Sequence, residues 1–211
     1  RKTRAEIVLE VIMPTFEYEE KHYSEGFNSV CGVDEAGRGP LCGPVVAAAV
    51  ILPLGLEIEG LNDSKKLSEK KREALYDEII SKATAYGIAF SSVEEIEEVN
   101  ILGATYIAMC RAIEKLSVAP DYVLIDGNRY PPMLKTKGET VVKGDSKSMS
   151  IAAASILAKV TRDRLLLEYA KEYPEYEFEK HKGYGTKAHI EAIKKYGVTE
   201  IHRPSFLKKL L

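Results

Sequence analysis

Gly32-Val33-Asp34-Glu35-Ala36-Gly37-Arg38-Gly39-Pro40 decides how this 211-residue chain is read. Residues 30–35 look like an apolar strand, and two adjacent carboxylates close it. Carboxylates at a strand end can hold a hard cation, because Mg²⁺ takes oxygen ligands and relies on one or two carboxylates plus the substrate's phosphates. Gly37-Arg38-Gly39 follows at once, and glycines leave backbone N–H groups open to a close ligand. Successive strand residues face opposite sides of a sheet. Asp34 and Glu35 therefore share a site only if the chain departs from a regular strand, and the reading here is a kink at Glu35-Ala36-Gly37. A dinucleotide fingerprint over Gly37, Gly39 and Gly43 is set aside. That motif needs a helix to open at its glycines, whereas Pro40, Pro44 and Pro53 frame a short β-branched run here.

Outward from this segment, Thr15–Ser24 reads as a helix or loose lead-in, with a turn at Gly26. Val45–Leu52 reads as a second, buried strand. Ser68 caps a helix over Glu69–Lys82, and Ala85–Val93 is a third strand. Glu94–Asn100 opens one helix, and Leu102–Leu116 has helical spacing of its own. Tyr122–Ile125 is a strand running into Asp126-Gly127-Asn128, and Thr140–Val142 is a short strand. Ser148–Tyr173 is a long helix, and Thr186–Tyr196 is a helix with Gly197 as its C-cap. This order predicts a mixed α/β domain.

Asp34 and Asp126 each close an apolar strand and are followed within three residues by glycine, so neighbouring strands would bring both to one sheet edge. Asp163 lies on a polar stripe of the long helix with Lys159 and Ser155, and could complete an acidic cluster. Asp63-Ser64-Lys65-Lys66 and Lys143-Gly144-Asp145-Ser146-Lys147-Ser148 each precede a helix, and their lysines, hydroxyls and helix starts suit phosphate oxygens. His181-Lys182-Gly183-Tyr184-Gly185 presents a glycine-flanked tyrosine that could stack on a sugar or base. The four histidines share no metal-ligand spacing, which argues against zinc. The Phe206–Leu211 tail reads as a packed terminus.

Composition is ordinary for a globular domain, with 45% hydrophobic and 29% charged residues. Net charge is −2, yet residues 1–142 hold 16 Lys/Arg against 23 Asp/Glu, and residues 143–211 hold 14 against 9. A basic C-terminal third can supply phosphate contacts. Three cysteines without metal spacing read as reduced thiols in a cytosolic protein. No apolar run reaches the roughly 18 residues of a membrane span, and no signal peptide is read. The chain does not open with Met, which reads as an N-terminal trim.

Taken together, Gly32–Gly39, Asp63-Ser-Lys-Lys-Leu67, Ile125-Asp-Gly127, Lys143-Gly-Asp145 with Ser148–Asp163, and His181-Lys-Gly-Tyr-Gly185 resemble, in this order, the type 2 ribonucleases H, ribonuclease HII of bacteria. The resemblance spans about residues 27–206. It leaves 1–26 as a lead-in, a stub of a longer extension, and 27–211 as the catalytic domain. It implies an α/β RNase H-like fold: a central mixed five-stranded sheet flanked by helices, with a C-terminal helical part. It implies catalytic, metal-binding carboxylates at Asp34, Glu35, Asp126 and Asp163, holding two Mg²⁺ or Mn²⁺ ions. Gly37, Arg38, Gly39 and Tyr184 would recognise a ribonucleotide embedded in DNA, with Ser64, Lys65, Lys66, Lys143, Ser148 and Lys182 on the substrate backbone. The implied activity is hydrolysis 5′ to a ribonucleotide in RNA–DNA hybrids and in DNA duplexes containing ribonucleotides, leaving a 3′-OH and a 5′-phosphate. The expected enzyme is a cytoplasmic monomer without membrane contact. Cys42 departs from the family's usual alanine and would put a thiol beside the site. Two rivals stay open at this point: a DNA-only nuclease of the same fold, and a non-catalytic nucleic-acid module.

Overall fold

The computed structural model describes residues 13–208 and 210. Five strands form one sheet: β1 (Val30–Ala36), β2 (Val45–Ile51), β3 (Ala85–Ser91), β4 (Tyr122–Asp126) and β5 (Lys137–Val141), in the order β3-β2-β1-β4-β5. β1, β2 and β3 pair antiparallel, while β4 lies parallel to both β1 and β5. The strand β2 is buried along its whole length because both faces of the sheet are covered.

Alternation assigns the faces. Val33, Ala47 and Ala49 point toward α3 (Val93–Glu114), where they pack with Ala104, Ala108 and Ala112. Ala48 and Val50 point the other way, against α4 (Met149–Glu172) and α2 (Glu69–Lys82). The start of α4 lies directly on β1: a Cβ on Gly32 would run into the backbone of Ser150 and Ile151. Small residues Ala152, Ala153 and Ala154 let the helix stay close.

A third cluster, built on Leu41, Leu166, Phe178, Ile193 and Ile201, joins α4 to the C-terminal helices α5 (Phe178–His181), α6 (Lys187–Tyr196) and α7 (Pro204–Leu207). The N-terminal helix α1 (Glu17–Ser24) is folded against the sheet, with Glu19 and His22 buried. His22 stacks on Tyr122 at 3.7 Å between ring centres.

Several boundaries differ from the sequence reading. The strand expected over 85–93 stops at Ser91, because Ser92 caps α3 and Val93 opens it. The helices expected over 94–100 and 102–116 form one element broken at Asn100 (φ 63), whose Oδ1 accepts from the Leu102 and Gly103 amides and re-caps the second half. The strand expected at 140–142 begins three residues earlier, because Lys137 and Glu139 alternate on an edge strand and hide its pattern.

Candidate active site

The parallel pairing of β1 with β4 puts Val33 opposite Ile125. Asp34 and Asp126, the next residue on each strand, therefore stand side by side near the C-terminal ends of β1 and β4. They share a cleft of about 200 Å³ with Glu35, the Gly37–Gly39 turn, Ser64, Lys65, Ser155, Lys159 and Tyr184.

Asp34 is buried, and its Oδ1 accepts the Glu35 amide at 2.7 Å. Burial first, then the charges of Glu35 and Asp126, push its carboxyl well above the usual aspartate range, while Ser155 hydrogen-bonds it and opposes the rise. Glu35 is raised too, chiefly by burial, against the pull of Arg38, whose Nη1 lies 3.3 Å from Glu35 Oε1. Of the kink expected at Glu35-Ala36-Gly37, only the turn at Gly37 is seen. Strand β1 stays regular through Ala36, paired with Val46, and the chain turns at Gly37 (φ +99). Glu35 instead borders the cleft from the α3 side, where Arg38, Tyr106 and Asn128 also line the space beyond Asp126.

Asp126 Oδ1 accepts the Gly144 amide at 2.6 Å. That bond draws the Lys143–Ser146 turn to the sheet edge and brings Asp145 with it. Asp145 is buried, and its carboxyl is raised by burial first and then by Asp126 and Asp63. Its Oδ2 stands 3.6 Å from Lys65 Nζ. Burial pulls the Lys65 ammonium down, but Asp145, Asp34, Asp63 and Asp126 together raise it. In the sequence, Asp145 stands out only as part of a phosphate-binding lead-in. Its signal as an acid was the glycine before it, since a Cβ at Gly144 would press on Ile151 and on Asp126 Oδ1.

Asp163 does not join this group. Its Oδ1 holds Lys159 at 2.7 Å and its Oδ2 faces Arg72 at 3.7 Å, so the helical stripe delivers the acid to two cations one turn past the cleft. Ser148 is also misassigned as a substrate contact: it is fully buried, caps α4 at Ile151, and donates to Glu19 Oε1 at 2.7 Å. The Lys182 ammonium donates to the Glu179 carbonyl. Lys66 and Lys143 are exposed and outside the cleft lining. The Cys42 thiol lies in the C-terminal core and not beside the carboxylates, and burial pushes it up to about 12.

The Gly37–Pro44 loop is held from behind by two buried arginines that sequence reasoning missed. Arg203 donates to the carbonyls of Gly37, Arg38, Pro40 and Gly43, and Arg162 to those of Cys42 and Pro44. Among the described residues, the Arg38 and Gly39 amides donate to no protein acceptor. Carbonyls drawn inward leave donors for a ligand in the cleft.

Tyr184 is exposed, and its ring edge lies 3.6 Å from where a Gly39 Cβ would stand. Its carbonyl is fixed by a chain of neutral imidazoles. The Thr199 amide donates to His202 Nδ1, so the His202 proton sits on Nε2 and points to His189 Nε2 at 3.1 Å. His189 Nδ1–H then donates to the Tyr184 carbonyl at 2.9 Å.

The family model described as Ribonuclease HII matches residues 31–209. The chain belongs to the ribonuclease HII family. It is 59% identical over 191 residues to the ribonuclease HII of Endomicrobium trichonymphae, covering 90% of this chain and 91% of that one. It is 62% identical over 184 residues to that of a Marinomonas species, covering 86% and 92%. The crystal structure of ribonuclease H2 from Pyrococcus horikoshii superposes with a TM-score of 0.71 at 28% identity, over 87% of this chain and 97% of that one. The fold is thus the α/β RNase H-like fold, and membership makes the chain an enzyme, an endonuclease of the ribonuclease H type.

The oxygen-rich donor set fits hard divalent cations of the kind the family depends on. Four acids, three of them raised by burial and mutual repulsion, crowd around one sheet edge, and Lys65 is drawn toward them. Among the described residues, no three His, Cys, Asp or Glu side chains converge closely enough to hold a metal ion by themselves. A site of this openness suits Mg²⁺ or Mn²⁺ that also takes the substrate's phosphate oxygens. Among the described residues, no helix is long and apolar enough to cross a membrane.

Proposed function

We propose that this chain hydrolyses the phosphodiester 5′ to a ribonucleotide, both in RNA–DNA hybrids and in DNA duplexes with embedded ribonucleotides. Water attacks phosphorus and the bond to the 3′ oxygen breaks, so the products carry a 3′-OH and a 5′-phosphate. Asp34, Glu35, Asp126 and Asp145 would hold two Mg²⁺ or Mn²⁺ ions, with Asp145 in the place first given to Asp163. Bound there, the ions supply Lewis-acid stabilisation of the attacking and leaving oxygens.

The remaining work belongs to the chain's own groups. The Gly37–Gly39 turn offers free amides to the 2′-OH, and the backing of Arg203 and Arg162 keeps those donors from relaxing inward. The Tyr184 ring stacks on the sugar of the following deoxynucleotide. Ser64 and Lys65 border the path of the cut strand, and Lys66 and Lys143 serve at most as outlying phosphate contacts. We take the enzyme to act as a cytoplasmic monomer that removes ribonucleotides from DNA.

The observation that carries this reading is the side-by-side placement of Asp34 and Asp126 on neighbouring strands, next to a loop with unused amides. The test compares duplexes with one ribonucleotide, four ribonucleotides and none, in Mg²⁺ and in Mn²⁺, with product ends mapped. Cleavage on the 5′ side of the ribonucleotide and none of the all-DNA duplex is expected. Cutting of the all-DNA duplex would return the assignment to a DNA nuclease of the same fold, and metal-independent binding without turnover to a binding module.

A further inference from the structure

Asp163 is a buried acid that the reaction above leaves unused. Its side chain is 7% exposed, and both of its oxygens are engaged, Oδ1 by Lys159 and Oδ2 by Arg72. Arg72 is fixed in turn, since its Nη1 donates to the carbonyls of Ser64 and Leu67 at 3.1 and 2.6 Å. One acid between two cations leaves a net positive charge. Of the three, only Lys159 reaches the cleft wall, with its side chain 22% exposed.

Lys159 stands one helical turn from Ser155, which lines the same cleft as Asp34 and shares a hydrogen bond with the Ser64 hydroxyl at 2.9 Å. It lines the same cleft as the Gly37–Gly39 turn and Tyr184. A polyanion entering there meets a floor of carboxylates that repel it. A lysine ammonium already pinned in one rotamer contributes attraction at that point with little further loss of side-chain freedom.

We propose that Lys159 binds a backbone phosphate of the duplex beside the scissile bond, and that Asp163, braced by Arg72, is the residue that positions it. This rests on the functional reading above and extends it. It makes Asp163 a positioning residue, with both lone-pair faces committed to cations.

The test is equilibrium binding of a fluorescent duplex carrying one ribonucleotide, in EDTA, over a range of KCl, so that neither metal nor turnover enters. Lys159→Met should weaken binding and flatten the plot of log affinity against log salt by about 0.9, the share of one phosphate. Lys159→Arg should restore the slope. In an Asp163→Asn background the same Lys159→Met change should cost several-fold less, because an unanchored lysine has less to lose. Lys159→Gln carries the slope measurement if the methionine variant fails to fold. An unchanged slope overturns the phosphate contact, and an equal cost in both backgrounds overturns the role of Asp163. Cleavage by the unmodified enzyme is scored separately: failure to cut at ribonucleotides defeats the functional reading and leaves the slope result standing.

Discussion

Arg203 Nη2 donates to the Gly37 carbonyl at 2.7 Å across 166 residues of sequence. The C-terminal segment thereby sets the shape of the first motif's turn. The guanidinium is buried and hydrogen-bonded only to carbonyls, and burial, with Arg162 adding to it, pulls it down to about 10. It stays charged at neutral pH, and charge-assisted bonds are the stronger kind.

Arg203→Met should leave four loop carbonyls short of a donor, at roughly 1–3 kcal/mol for each one that stays dry. A loss of at least about 3 kcal/mol in urea unfolding is expected. Arg203→Lys, which cannot fork across the loop, should retain the fold better yet lose discrimination between ribonucleotide-containing and all-DNA duplexes. Unchanged discrimination in a folded Arg203→Lys enzyme would separate the loop's shape from substrate choice.

Gly37→Ala tests the same turn from the front. The position has φ +99, and a Cβ would collide with the Arg162 side chain. Left-handed strain costs roughly 1–2 kcal/mol before the collision is counted. Cleavage should fall by at least about tenfold, with kcat/KM affected more on ribonucleotide substrates than metal half-saturation is. Parent-like kinetics would mean that the turn is free to move.

Asp34→Asn should nearly abolish cleavage and make the metal-free protein more stable. Asp34 has its folded-state pKa raised by burial, Glu35 and Asp126. The folded protein therefore holds a proton that the unfolded chain has released, and stability falls as pH rises above the ordinary aspartate value of about 3.9 and through the folded value. Asparagine does not titrate. The melting temperature of Asp34→Asn minus that of the parent, in EDTA, should grow from pH 4 upward. A difference that is flat with pH contradicts the crowding of charges.

Much of this site was open to reading from the chain alone, and the failures share a cause. Asp34 and Asp126 announce themselves because each follows an apolar run and has a glycine within three residues, and such patterns are local. The choice between Asp145 and Asp163 is not local. Both lie among basic residues, and only the Gly144–Asp126 bond and the claims of Lys159 and Arg72 tell them apart. Ser148 looks like any phosphate-binding serine until α1 delivers Glu19 to it. Arg162 and Arg203 carry no sequence signal at all, since nothing beside them shows that they reach carbonyls of the Gly37–Pro44 loop more than 100 residues away.

His202 gives a pH dependence of opposite sign. Burial first, and His189 second, hold it down to about 4. Below about pH 6.5 the unfolded chain takes up a proton that the folded imidazole refuses. Stability is therefore lost as pH falls from 6.5 toward 4. His202→Gln should remove that part of the fall in melting temperature. A variant that keeps the parent's acid limb would mean that the pair is not held neutral.

Tyr184 offers the sharpest test of recognition. Its carbonyl is tied to His189 and its ring rests over Gly39, so backbone and side chain are positioned from opposite sides. If the ring acts by stacking, its hydroxyl is dispensable, and Tyr184→Phe should cut a one-ribonucleotide duplex within about twofold of the parent. Tyr184→Ala removes a surface worth about 1–3 kcal/mol per stacked base in comparable sites. It should lose between ten- and a hundredfold in kcat/KM on the single-ribonucleotide duplex, and less on a continuous hybrid, where further contacts hold the strand. Measuring both substrates with both variants isolates the ring from the hydroxyl. Equal losses on the two substrates would assign Tyr184 to general affinity, and a large loss in Tyr184→Phe would move the role to the hydroxyl.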